Sequence, residues 1–200
     1  MNPVARDTGT REKILAAGAE AIAAKSFNAC GLTEILEKAG VPKGSFYHYF
    51  QSKEEFGVAL IEREAAEYME MLRPIVSDRR RSPLERLRAI FESARDECVA
   101  HGPEKQCLVV KLAMEAAQLS EPVHAAVKSA YAQWNAVIAQ VIREAQAAGE
   151  IGRKQDPEQL ARLLVMLWEG ATIRMQVERS PQPVEDFLNF VFDSLLRDWS

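Results

Sequence analysis

Polar and aromatic side chains that can bond an anionic surface cluster in residues 32–53, LTEILEKAGVPKGSFYHYFQSK. Phe46 and Phe50 are four residues apart, so on a helix they point inward together. The outward-facing set is then Lys43, Gly44, Ser45, Tyr47, His48 and Tyr49. Hydroxyl, imidazole and ammonium groups bond phosphate oxygens. The small Gly44–Ser45 pair also lets the helix start approach another surface closely, so this pattern indicates contact with a nucleic acid.

The same stretch predicts two short helices joined by a tight turn. The first has an apolar face, Gly40 ends it, and Pro42 stands where the second begins. This is the helix-turn-helix arrangement, whose second helix enters the major groove of DNA. We expect Thr33 to cap the first helix and to help in the contact, and Lys53 to bind a phosphate. A helical hairpin with no role in DNA binding is the alternative.

The run VPKGSFYHYFQSKEEF, residues 41–56, is specific enough to decide between these readings. It resembles the TetR family of transcriptional regulators, whose recognition helix carries a Gly-Ser/Thr-Phe/Leu-Tyr-x-Tyr/His-Phe signature. The resemblance is strong over residues 10–56. It implies an all-α homodimer whose body binds a small-molecule inducer and whose two headpieces bind a palindromic operator in double-stranded DNA.

Composition limits the class of protein. The chain has 200 residues, 48% of them hydrophobic, and no apolar run approaches the ~20 residues of a membrane helix. The net charge of −4 argues against a general nucleic-acid coat protein, which would be basic. Three cysteines without metal-ligand spacing fit reduced thiols. We therefore expect a cytoplasmic protein with no membrane partner, no cofactor and no metal.

Periodicity and capping signals predict about nine helices and no strand. Residues 1–9 are expected to form a mobile arm. Predicted helices cover residues 11–25, the two of the helix-turn-helix, 53–77, 82–101, 104–119, 121–149, 157–179 and 184–199. Gly18 on the buried face of the first helix should permit close packing. We place a DNA-binding domain at residues 1–52 and a ligand-binding and dimerisation domain at residues 53–200.

The last two predicted helices are apolar most of the way round, so they must be covered on more than one side. A four-helix dimer interface is the favoured explanation, and a central core helix is the alternative. The residues expected at that interface are Leu164, Phe187, Val191 and Leu195.

A second constellation surrounds Cys107. The run Gln106–Val109, with the downstream run Trp168–Ala171, resembles a branch of TetR repressors that respond to electrophiles such as N-ethylmaleimide or acrylate. That branch usually has a glycine before the cysteine and an asparagine at the position of Lys111. We expect Cys107 in or near the first turn of its helix, where the helix N-terminus and Lys111 favour the thiolate.

The alternative is that Cys107 is inert packing and the inducer binds without a covalent bond. In either case the expected ligand-binding residues are Cys107, Lys111, Met114, Tyr131, Trp134 and Trp168.

Two other functional classes compete. An enzyme could use Glu115, His124 and Glu169 as acid–base groups, but no Ser-His-Asp signature, phosphate loop or metal cluster accompanies them, so we expect no enzyme. A helical adaptor that binds only protein leaves the outward Tyr47 and His48 unexplained. The sequence leaves open the operator, the inducer, and whether the protein represses or activates.

Overall fold

The computed structural model describes residues 3–101, 107–115 and 120–196. Within those ranges the chain forms nine α-helices and no strand, which confirms the all-α prediction. The helices are α1 (Pro3–Ala24), α2 (Leu32–Ala39), α3 (Lys43–Tyr49), α4 (Lys53–Ser77), α5 (Pro83–His101), α6 (Leu108–Met114), α7 (Glu121–Ala147), α8 (Pro157–Glu178) and α9 (Gln182–Phe190). A π-helical turn, Val191–Leu195, follows α9. No helix within these ranges combines the length and the apolar character that are needed to cross a lipid bilayer.

Side-chain caps fix the starts of three helices where the sequence predicts them. The Ser52 hydroxyl accepts the Glu55 N–H at 3.1 Å and begins α4. Ser82 and Glu85 cap each other at the start of α5, with N–H to oxygen distances of 3.3 and 2.7 Å. The Asp156 carboxylate accepts two N–H groups of the first turn of α8. Each cap satisfies donors that the helix itself leaves without partners.

Several expected boundaries were wrong. Residues 3–9, expected in a mobile arm, belong to α1, which begins at Pro3, a residue suited to a first helical position. Thr33 does not cap α2: Gly31 occupies the N-cap position, and Thr33 lies inside the first turn. The helix predicted for residues 104–119 is described only as α6, and residues 102–106 and 116–119 lie outside the described residues.

The chain divides into two compact units. The first unit comprises residues 1–66 and 107–130, and the second comprises residues 67–106 and 131–200. The predicted domain boundary after residue 52 stays a prediction.

Close packing of α1 on α4 organises the first unit. A Cβ atom added at Gly18 would lie 2.2 Å from Cζ of Phe56, so only glycine fits there. The role predicted for Gly18 is confirmed. The buried face of α1 carries Ile14, Leu15, Ala21 and Ile22, as its periodicity predicts.

Aromatic rings from four elements pack together in the core of the second unit. The Phe91 centroid on α5 lies 5.7 Å from that of Trp168 on α8, 5.1 Å from Phe187 on α9 and 6.0 Å from Phe192 in the π-helical turn. The tilted ring pairs are favourable beyond the area they bury.

One buried arginine links three segments of the second unit. Arg86 on α5 is only 2% exposed. Its Nη2 donates to Oε2 of Glu144 on α7 at 2.7 Å, and its Nη1 donates to the Val76 carbonyl near the end of α4 at 2.8 Å. Hydrogen bonds from Arg86, then from Gln140, lower the pKa of Glu144 from 4.5 to about 2. Glu144 therefore stays ionised, and the buried guanidinium keeps its counter-charge.

Glu144→Gln should lower the free energy of unfolding at pH 7 by about 2–4 kcal/mol, because it leaves the Arg86 charge buried without a carboxylate. Since folding depresses the pKa of Glu144, its contribution is complete above pH 4.5 and is lost as the pH falls towards about 2. Urea unfolding monitored by circular dichroism, at pH 7 and at a pH near the Glu144 pKa of about 2, measures the free energy of unfolding of each protein. Glu92→Gln is the control, since Glu92 forms a more exposed pair with Arg88. Equal effects of the two variants at pH 7 would contradict the assigned role.

Candidate DNA-binding surface and ligand-binding residues

A glycine turn sets α3 at an angle to α2. Gly40 has φ +65°, a left-handed conformation that side chains with a Cβ rarely adopt. Its N–H donates to the Glu37 carbonyl at 3.1 Å, and the Val41 N–H reaches back to the Leu36 carbonyl at 3.1 Å. These bonds satisfy carbonyls at the end of α2, and Pro42 then leads into α3.

The segment from Lys43 to Phe50 has a buried side and an exposed side. Phe46 and Phe50 are buried, and their ring centroids lie 5.7 and 5.3 Å from that of Phe56 on α4. Lys43, Gly44, Tyr47 and His48 are exposed, and Ser45 and Tyr49 are half-buried. The Tyr47 side chain is 59% exposed, and no atom lies within 4 Å of a Cβ built on Gly44. The facing predicted for α3 is confirmed.

The two expected DNA-binding residues outside α3 differ in their surroundings. Thr33 is exposed in the first turn of α2. The Lys53 ammonium donates to the Cys30 carbonyl at 2.7 Å and lies 4.9 Å from the centroid of the Phe27 ring. Lys53 therefore holds the start of α4 to the loop before α2. The phosphate contact that we expected for Lys53 stays a prediction.

Two side chains of α6 bind the C-terminal end of α1 within the first unit. The Lys111 ammonium donates to the Ala23 carbonyl, where the helix dipole favours a cation. The Glu115 carboxylate accepts the Phe27 N–H at 3.1 Å and the Asn28 N–H at 3.5 Å. We call these contacts the α6 clamp. From the sequence, Glu115 is a candidate only for an acid–base group, because no local pattern reveals a partner 88 residues away.

Cys107 lies at the start of the helix that carries the clamp. It is exposed and occupies the N-cap of α6, next to the first turn, as expected. The Lys111 ammonium is hydrogen-bonded at the end of α1, and its predicted effect on the thiol stays a prediction. By contrast, Cys30 is fully buried, and burial raises the pKa of its thiol. Met114, also on α6, is exposed.

The remaining expected ligand-binding residues lie in the second unit and fall into two ring clusters. Trp134 on α7 packs against Tyr131 and Tyr68, with centroid distances of 5.3 and 5.4 Å. Trp168 instead packs with Phe91 and Phe187. Sequence reasoning missed Tyr68, which has only the general helical pattern of α4 to mark it. Among the described residues, no group of three or more His, Cys, Asp or Glu side chains could hold a metal ion.

Interface residues predicted for the last two helices turn towards the core of the second unit. Leu164 and Val191 are completely buried there, Phe187 nearly so, and Leu195 is half-buried. Leu164, Phe187 and Val191 are therefore not available to a second chain, whereas Leu195 is partly exposed. The apolar residues exposed on α8 and α9 are Leu163, Met166, Leu167, Ile173, Val177 and Phe190. The sequence could not separate the two faces, because both are apolar.

Two family models cover most of the chain. The model described as bacterial regulatory proteins, tetR family, matches residues 14–60. The model described as tetracyclin repressor-like, C-terminal domain, matches residues 83–191.

Individual relatives agree with the family models. The transcriptional regulator AcuR of Cereibacter sphaeroides is 38% identical over 88% of this chain and 80% of that protein. The HTH-type transcriptional repressor NemR of Escherichia coli is 35% identical over 91% of this chain and 92% of that protein.

Solved structures share the fold. The reduced form of E. coli NemR has a TM-score of 0.84 at 33% identity and covers 94% of this chain and 96% of that chain. The regulatory protein TetR from Rhodobacter sphaeroides has a TM-score of 0.84 at 38% identity, over 90% of this chain and 95% of that chain. The likeness to AcuR and NemR supports the branch that the sequence resembles. The chain therefore belongs to the TetR family and is a ligand-responsive, DNA-binding transcriptional regulator of the helix-turn-helix class.

Proposed function

We propose that this chain is a homodimeric repressor that binds a two-fold symmetric operator through α3 and releases it when a small molecule binds. The observation that carries the proposal is the division of the segment from Lys43 to Phe50, in which the two phenylalanines are buried while Lys43, Gly44, Tyr47 and His48 are exposed. A repressor of the same family, NemR, matches the chain almost from end to end. Binding to the chromosome places the protein in the cytoplasm.

Each exposed side chain of α3 has a proposed role. Tyr47, with Ser45 and Tyr49, bonds phosphates and so positions the helix. Lys43, Gly44 and His48 lie nearer the base edges and select the sequence. Thr33 helps from the start of α2. Two copies of α3 then engage half-sites about one helical turn apart, ~34–36 Å, or further apart if the headpieces are splayed.

A second copy of the chain is the proposed partner of the exposed face of α8. Leu163, Leu167 and Val177 recur at helical spacing, and Val177 is 73% exposed. Apolar stripes of this kind mark protein interfaces. Gly170 lies on the same face with no atom within 4 Å of a built Cβ, so it leaves room for a second helix to approach. Regulators of this family are typically dimeric.

Cys107 is the proposed site of a response to electrophiles. Its thiol is exposed, and it begins the helix whose other side chains hold α1. An adduct there would displace α6, and the α6 clamp would carry that movement to the headpiece.

Tyr47→Phe should weaken operator binding by about 2- to 10-fold on every DNA sequence tested, because it removes one hydrogen bond to a phosphate. Fluorescence anisotropy against the operator and a set of single-base variants measures this. A change in which bases are preferred would contradict the phosphate role.

The base-reading role has its own matched pair of variants. Lys43→Gln should change base preference as well as affinity, whereas Lys128→Gln should change neither. Both lysines are exposed, but Lys128 lies on α7.

Leu167→Asp should convert the dimer to a monomer, because it would bury an unpaired charge in an apolar interface. Sedimentation velocity at micromolar concentration distinguishes the two states. Lys154→Asp, on an exposed turn of the second unit, is the control and should remain dimeric. The monomer should also lose tight operator binding, since two half-sites must be engaged together. A Leu167→Asp protein that sediments as a dimer would refute this interface.

N-ethylmaleimide should release wild-type protein from its operator in a gel-shift assay and should not release Cys107→Ser. Cys98→Ser is the control and should be released like wild type. Release of Cys107→Ser would exclude Cys107 as the sensor, and release of neither protein would exclude the electrophile response. Glu115→Gln tests the clamp: mass spectrometry should show the same alkylation, while release is reduced.

A further inference from the structure

Several buried polar atoms of the second unit have no hydrogen-bond partner among the described residues, and two of them share a neighbouring tyrosine, Tyr131. Trp134 on α7 is only 8% exposed, and its indole Nε1 is buried without an acceptor. Glu169 on α8 has one carboxylate oxygen, Oε1, buried without a donor. Buried polar groups are nearly always satisfied, so such atoms mark places where another molecule completes the hydrogen bonding.

Tyr131 connects these two side chains. Its ring lies edge-on to Trp134, with centroids 5.3 Å apart. Its hydroxyl donates a hydrogen bond to the Glu169 carboxylate, which leaves Oε1 available. The Tyr68 ring also packs against Trp134, with ring centroids 5.4 Å apart. An indole N–H donor and a carboxylate acceptor therefore share one aromatic neighbour.

The charge around this pair limits what could bind. Burial raises the pKa of Glu169, and the Tyr131 hydrogen bond opposes that rise only in part. An environment that disfavours one negative charge disfavours a second, so an anionic ligand is a poor fit. A cation would suit the carboxylate but has no lone pair for the Trp134 N–H. A neutral group with both an acceptor and a donor matches both atoms.

We propose that Trp134 and Glu169 recognise the inducer as a small uncharged carbonyl compound that carries an N–H or O–H beside the carbonyl. The carbonyl oxygen accepts from Trp134 Nε1, and the N–H or O–H donates to Glu169 Oε1. The rings of Tyr131 and Tyr68 pack on the body of the molecule. This inference rests on the proposed ligand-dependent release of DNA, and it adds the chemical class of the ligand and the residues that select it.

The test compares probes that differ only in the donor. Propionamide, benzamide and hydroxyacetone offer both a carbonyl and a donor, while N,N-dimethylpropionamide, N,N-dimethylbenzamide and methoxyacetone retain the carbonyl alone. None of them is an activated alkene, so alkylation of Cys107 does not interfere. Ligand-detected NMR titration of the wild-type protein, up to tens of millimolar, should show binding of at least one donor-bearing probe. That probe should bind about 10- to 100-fold more tightly than its analogue, as expected for one hydrogen bond to a carboxylate.

Two variants separate the contacts. Glu169→Gln keeps the size of the side chain but turns an amide donor towards the ligand if Tyr131 still holds the oxygen. It should abolish the preference for the donor-bearing probe. Trp134→Phe removes the indole N–H, so it should weaken both members of a pair alike, and circular dichroism checks that it folds.

Stability distinguishes recognition from a structural role. Because burial disfavours the charge of Glu169, the melting temperature of Glu169→Gln should equal or exceed that of wild type. A large loss of stability in this variant would indicate a structural role and overturn the proposal. Failure of every probe to bind, equal affinity within every pair, or an unchanged preference in Glu169→Gln would overturn it too.

The binding assay contains no DNA, so it is independent of operator binding. Protein that binds the probes but no operator would contradict the proposed function and leave this site intact. Protein that binds and regulates its operator but none of the probes would contradict this site alone.

Discussion

A seven-residue helix is too short to be stable in water, and the DNA-binding surface is carried by such a helix. What holds α3 in place is the packing of Phe46 and Phe50 against Phe56 of α4. Phe56 reaches that position because Gly18 of α1 has no Cβ to obstruct it. Hydrophobic burial thus sets the orientation of α3, and the polar side chains on its other face are oriented as a consequence.

The first unit also contains α6, the helix that follows Cys107. The contacts of α6 with the headpiece are made to main-chain atoms, the Ala23 carbonyl and the N–H groups of Phe27 and Asn28. Main-chain partners are fixed by the fold of α1 and the following loop, so a displaced α6 moves backbone rather than a flexible side chain. This makes the α6 clamp a physical link between a chemical event near Cys107 and the position of α1.

The second unit departs from general rules of folding in two ways. It exposes apolar side chains along α8. It also buries polar atoms without a partner in the described part of the chain, among them the Trp134 N–H and a Glu169 oxygen. Local violations within a consistent fold mark functional surfaces. We relate the first to a partner chain and the second to a ligand.

Features that depend on near neighbours in the chain can be predicted from the sequence alone. The caps at Ser52, Ser82 and Asp156, the Gly40 turn and the four-residue spacing of Phe46 and Phe50 are local, so composition and spacing predict them. The family signature in residues 41–56 is equally local, and with it the DNA-binding function.

Only the tertiary structure decided which partner each long or apolar side chain meets. Lys53, Lys111 and Glu115 have flexible side chains, and their partners lie 23 to 88 residues away, so no local pattern distinguishes a phosphate contact from an internal one. Along α8, both Leu164 and Leu167 are leucines on a helix that is apolar most of the way round. The core that contains Leu164 is assembled from residues of α4, α5, α7, α9 and the π-helical turn, and it leaves Leu167 exposed to solvent.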